Sequence, residues 1–195
     1  MSHQLLRCRL FGALLPLALV AALIAPPRQA MGQALIDTKA AASLRDQYMA
    51  DLDTVHVKIM ALANAIPEDK YSWRPAPGVR SVSEAFMHVA SEWFVYVPAS
   101  VGGKPPAGFG VPREVIPKME KITAKQDVIE QLTKGWAYAK GQLAAAEPAT
   151  LTGKLETWKV PFGDAAFGMS GDLHEHLGQL ISYARSVGVK PPWSK

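Results

Sequence analysis

Ser81-Val82-Ser83-Glu84-Ala85-Phe86-Met87-His88-Val89-Ala90-Ser91-Glu92-Trp93-Phe94-Val95-Tyr96-Val97 decides the fold. It opens on a capping box: the Ser81 oxygen can take a free amide of the first turn while Glu84 reaches back to the Ser81 N–H. Val82, Phe86, Val89, Trp93 and Val97 then recur at helical spacing, and Pro98 is a natural stop. Most of the other positions are apolar too, which suits a helix buried on more than one side. The exception is a polar stripe, Glu84, His88 and Glu92, at i, i+4 and i+8. Such a stripe is either the solvent face of the helix or the lining of a small polar cavity between helices.

Three more amphipathic segments flank it. Leu44, Tyr48, Leu52, Val55, Ile59, Leu62 and Ile66 mark a helix from about Thr38 to Ala65, ended by Pro67. Val128, Leu132, Trp136, Ala139 and Leu143 mark one from about Ala124 to Ala146, with Thr123 and Gln126 as a second capping box. Met169, Leu173, Leu177, Leu180, Ala184 and Val187 mark one from about Ala165 to Val187, followed by Gly188 as C-cap and by Pro191-Pro192. The link between the second and third helices carries Gly102-Gly103-Lys104-Pro105-Pro106 and is long enough to cross the molecule, so that these two helices can run parallel. The only strand-like patch is short, around Lys159 to Phe162. The expectation is an all-α, four-helix bundle with a long crossover connection.

The N-terminus reads differently. Arg7 and Arg9 precede an apolar run, Leu10 to Ala25, and a stretch of small and polar residues, Pro26 to Ala34. This is the order of a secretory signal peptide, with cleavage after Gly32 or Ala34. The run is shorter than a membrane span requires, so no stable membrane insertion is expected after cleavage. The expected division is a signal peptide over 1–32 and one bundle domain over 35–195, in a periplasmic or secreted protein. Residues 1–32 hold three arginines and no acid, so their removal lowers the formal charge from +4 to +1. No basic patch remains to suggest nucleic acid. The single cysteine, Cys8, lies in the same segment, which leaves the rest of the chain without disulfides or thiol catalysis.

Chemistry therefore rests on His56, His88, His174, His176 and the nearby carboxylates. At about 100° per residue, His174 and His176 lie about 160° apart on their helix and cannot both serve one metal. Asp172 and His176 are one turn apart on one flank of the apolar stripe, a spacing that lets two side chains converge on an ion. On geometry alone the commoner explanation is a half-buried His hydrogen-bonded to its neighbour. His56 reads as an edge residue with an ordinary hydrogen bond.

Two segments together carry a family resemblance. Tyr71-Ser72-Trp73-Arg74-Pro75-Ala76-Pro77-Gly78-Val79-Arg80, running on to Ala90, and Asp172-Leu173-His174-Glu175-His176-Leu177-Gly178-Gln179, running on to Arg185, resemble the DinB family of helical metal proteins. The resemblance implies a divalent metal, zinc or nickel, held by one His of the second helix and a His-x-x-x-His pair of the last. His88 and His176 match two of those positions. The third falls on Asp172, a departure that a carboxylate can still serve. Glu84, one turn from His88, is the candidate partner of that ligand, and Glu84 or Glu92 the candidate general base. Homodimerisation also fits the resemblance, although no residue marks an interface.

The resulting expectation is an exported divalent-metal protein acting as a hydrolase on an unidentified small molecule. The alternatives are a non-catalytic bundle binding a metal or small ligand, and a scaffold whose metal site has decayed. Thiol-transfer chemistry fits an exported protein less well, because low-molecular-weight thiol cofactors are mainly cytosolic.

Overall fold

The computed structural model describes residues 34–194. The segment read as a signal peptide lies outside the described residues. Five α-helices follow in order: α1 (Thr38–Ala65), α2 (Val82–Ala99), α3 (Pro112–Met119), α4 (Lys125–Ala145) and α5 (Phe162–Ser186), with short 3₁₀ turns at Glu68–Lys70 and Pro148–Leu151. Among the described residues the only β pairing is one antiparallel bridge, Lys154 to Pro161. The protein is all-α, and no described helix is long and apolar enough to cross a membrane.

Local chemistry accounts for the helix ends. Asp37 Oδ1 accepts from the Ala40 N–H (2.7 Å) and starts α1. The Ser81–Glu84 capping box is formed as its residues suggest. Gly188, in the left-handed region at φ 81°, follows α5. Other boundaries differ from the sequence reading. α4 begins at N-cap Ala124 with no side-chain cap, so Thr123 and Gln126 form no box. α2 runs one residue past Pro98, whose missing N–H and ring stop the helix there rather than before it.

The crossover also contains a helix the sequence reading treated as loop. α3 starts with Pro112, whose missing N–H would be unsatisfied there anyway, and buries Val115 and Met119 against the core.

α2 is the hub, packed against α3, α4 and α5. Ala90 meets Gly135, Trp93 meets Trp136 and Phe94 meets Tyr138, so contacts climb in the same order and α2 and α4 run parallel. Arg80 meets Tyr183 and His88 meets His176, so α5 runs antiparallel to α2. The apolar stripes read from the sequence form the core: Leu52, Ile59, Leu62, Leu132, Leu143, Leu173 and Leu180 are all buried. The approach of α2 to α4 depends on Gly135, where a Cβ would stand 3.0 Å from the Ala90 carbonyl oxygen and 3.3 Å from Phe94 Cε2. Gly135→Ala should therefore destabilise by about 1–2 kcal/mol, as overpacking against backbone outweighs the gain of about 1 kcal/mol in helix propensity. A urea midpoint equal to or above wild type would contradict this.

His56 is not the hydrogen-bonded edge residue expected. Its ring stacks on Trp136 (centroids 4.7 Å apart, 13° between planes) and meets Trp93 edge-on. Burial pushes its pKa down from 6.5 to about 4, partly opposed by Asp53. The folded state thus favours the neutral ring. The stability this supplies is complete above pH about 6.5 and is lost as pH falls toward 4. Between pH 7 and pH 5, wild type should lose more stability to urea than His56→Phe does. Equal losses would refute the burial argument.

Candidate metal centre

The capping box fixes where α2 starts, and so where its polar stripe points. His88 and Glu92 face α5 on successive turns, and α5 returns His176 against them. One donor atom from each of His88, Glu92 and His176 falls within 4.8 Å of the others. His88 Nε2 and His176 Nε2 each lie 3.3 Å from Glu92 Oε1. Donors about 2.0–2.3 Å from one zinc-like ion stand about 3–4 Å from each other, so the spacing suits a shared cation.

Two further observations bear on that fit. Glu92 is only 2% exposed, and its Oε2 has no hydrogen-bond partner among the described residues. An unpaired carboxylate oxygen in such a place is costly unless something positive completes it. The histidines are also held from behind. His88 Nδ1 lies 3.0 Å from Glu120 Oε1, which accepts from Arg80 Nε as well (2.9 Å). His176 Nδ1 faces Gln179 Oε1, and Gln179 Nε2 donates to Tyr183 Oη. With a cation in place, a proton held at Nδ1 would leave each Nε2 lone pair for it.

Electrostatics follow the same geometry. Burial pushes the Glu92 carboxyl up, but hydrogen bonds from His176 and His88 outweigh it and hold the group at about 2. The hydrogen bond to Glu92 raises His176 against the effect of its own burial. Glu92 is thus held as a buried carboxylate between two imidazole rings, which is the charge a cation site needs.

The other sequence candidates sit elsewhere. Asp172 is at the rim, 45% exposed, with Oδ2 3.9 Å from His176 Nε2. Burial and then the charge of Glu92 raise its pKa. Glu84 is committed one turn away: Oε2 accepts from Ser81 N (2.7 Å) and Oε1 from Arg74 Nη2 (2.9 Å). Despite partial burial these partners lower its pKa, and it does not reach the cluster. His174 pairs with Asp51 (3.0 Å), which also accepts from Ser170, outside the centre. Glu92 takes the place beside both histidines. The sequence signal for it was its i+4 spacing from His88. Glu120 left no such signal, because it comes from the end of the unforeseen α3. Glu120 and Gln179, the residues behind the two histidines, also line an open polar cleft of about 610 Å³ with Arg74, Arg80 and Glu84.

The sequence profile of the DinB superfamily matches residues 51–180. The chain belongs to the DinB superfamily. No curated protein and no solved structure matches it. As a DinB chain it carries a His–Glu–His cluster that can hold a metal ion, with α2 and α5 supplying the donors.

Proposed function

We propose that this DinB protein is a metal-dependent enzyme of hydrolase type, built on a four-helix bundle with α3 added in its crossover and exported behind a cleaved signal peptide. His88, Glu92 and His176 would hold a divalent ion, zinc or nickel, with Asp172 flanking it. The orphaned, buried Glu92 Oε2 is the observation that carries this reading. When bound, such an ion supplies Lewis acidity and makes water a nucleophile at neutral pH. The rest falls to the chain. Glu120 and Arg80 orient His88, and Gln179 and Tyr183 orient His176. Asp172, half-open to solvent at the rim, is placed to take up a proton from a reacting group. Glu84 is too firmly paired for the base role the sequence suggested, and serves as the cap that fixes α2.

Metal content measured by mass spectrometry on protein purified without chelating resin tests this. About one ion per chain is expected, lost in His88→Ala and His176→Ala and retained with weaker affinity in Asp172→Asn. A chain that takes up no stoichiometric metal after reconstitution would leave a helical scaffold without the chemistry.

A further inference from the structure

We propose that the pocket one turn beyond Glu92 on the same face of α2 holds an uncharged aryl group of the substrate processed at the metal centre. This rests on the metal-enzyme reading and supplies a substrate class for it.

The register of α2 makes the connection. Tyr96 follows Glu92 by one turn, about 6 Å along the axis, and Val95 and Ala99 share that face. These residues form the floor of a pocket of about 480 Å³, within the range of small-molecule sites. α3 runs alongside. Pro112 lines the pocket, Glu120 holds His88, and the half-buried Ile116 lies one turn from each. A substrate lying along α2 therefore meets the pocket and the metal ligands in succession.

The lining selects the group. Tyr96 and Trp158 supply aromatic faces, and Pro105 and Pro112 supply flat apolar rings. The charged lining residues, Lys104 and Glu156, are exposed and opposite in sign, so nothing there favours an anion or a cation.

Both walls are held in place without a ligand. Tyr138 Oη donates to the Lys104 carbonyl (2.7 Å), and Gly103 N donates to the Pro98 carbonyl (2.9 Å). A Cβ at Gly103 would stand 2.7 Å from Gln142 Oε1 and 3.0 Å from that same carbonyl, so any side chain there would displace Gln142 and press on the end of α2. On the other side, Trp158 sits on a turn closed by Leu155 N to Val160 O and Lys159 N to Leu155 O (2.8 Å each). Lys159 takes φ 58°, a left-handed conformation unusual for a lysine, directly after Trp158. A strained residue kept beside an aromatic wall is the kind of local cost that functional sites retain.

The test is ¹H–¹⁵N NMR titration with acetanilide as the aryl probe and hexanamide as the aliphatic control. Acetanilide should shift the Trp158 indole and the Ala99, Gly102 and Gly103 amides, and bind more tightly than hexanamide. Trp158→Ala should weaken it about tenfold, the effect of losing one aromatic contact. Tyr96→Leu, a change at a half-buried site, should weaken it too. With cobalt(II) in place of zinc, the acetanilide ring protons should broaden. Absence of these shifts, equal binding of hexanamide, indifference to both variants, or no broadening in cobalt-loaded protein would each overturn the proposal. Aryl binding in a chain that takes up no metal would keep the pocket while sinking the metal-enzyme reading, and metal uptake without aryl binding would do the reverse.

Discussion

Replacing Glu92 with glutamine is expected to abolish stoichiometric metal binding and, with it, all metal-dependent stabilisation. Among the described residues Glu92 is the one carboxylate within 3.3 Å of both Nε2 atoms, and it is almost wholly buried. Glutamine keeps the shape but removes the charge that a divalent ion needs in a dry site. A ligand at a hundredfold excess over its dissociation constant stabilises the native state by about 2.7 kcal/mol. For a domain of this size that raises Tm by about 5–10 °C. Wild type should show such a rise on addition of the preferred ion and lose it with a chelator, whereas Glu92→Gln should show none. Asp172→Asn should keep most of it, because Asp172 stands 3.9 Å from the nearer histidine nitrogen and faces solvent. If Asp172→Asn removed the rise and Glu92→Gln kept it, the ligand assignment would pass to Asp172, where the family resemblance placed it.

The largest loss of stability should follow Trp93→Ala. Trp93 is 1% exposed and meets the edges of both His56 and Trp136, at the meeting of α1, α2 and α4. Truncating a buried tryptophan costs about 3–5 kcal/mol, through lost burial and a cavity that rigid neighbours cannot close. That is a large share of the roughly 5–15 kcal/mol that holds a typical domain together. Thermal unfolding should fall by about 10 °C or more, and Trp93→Phe should recover part of the loss. A drop of only a degree or two would mean that α2 and α4 collapse onto the space, against the close approach seen at Gly135.

The long helices were legible because each buries one stripe, and a stripe of Leu, Val and Ile at three- and four-residue steps has few other physical meanings. The length of the crossover allowed a parallel course of α2 and α4, but only their contacts fix it. α3 was hidden by its composition: Pro112 and Pro117 read as breakers, and just two buried side chains, Val115 and Met119, betray it. The candidate centre was half legible. His88 and His176 come together, but whether the stripe on α2 faced solvent or another helix is a tertiary fact that spacing does not contain. Glu92 therefore looked like one of two equivalent glutamates. The structure separates them, since Glu84 spends its oxygens on Ser81 and Arg74 while Glu92 faces the histidines.

His88 and Glu92 lie on one helix, whereas His176 comes from α5, the last of the described helices. In an unfolded chain, bringing these donors together would require closing the whole intervening segment, so the complete ligand set exists only after α5 docks. A ribosome delivers α2 long before α5, and the early pair alone would be a weak, solvent-exposed chelate. Metal capture would then be the last event of assembly rather than a nucleus for it. If the signal peptide proposed above exports the chain unfolded, the ion would be acquired at the destination. The metals available where α5 packs, and not those where the protein is made, would decide which one the centre carries.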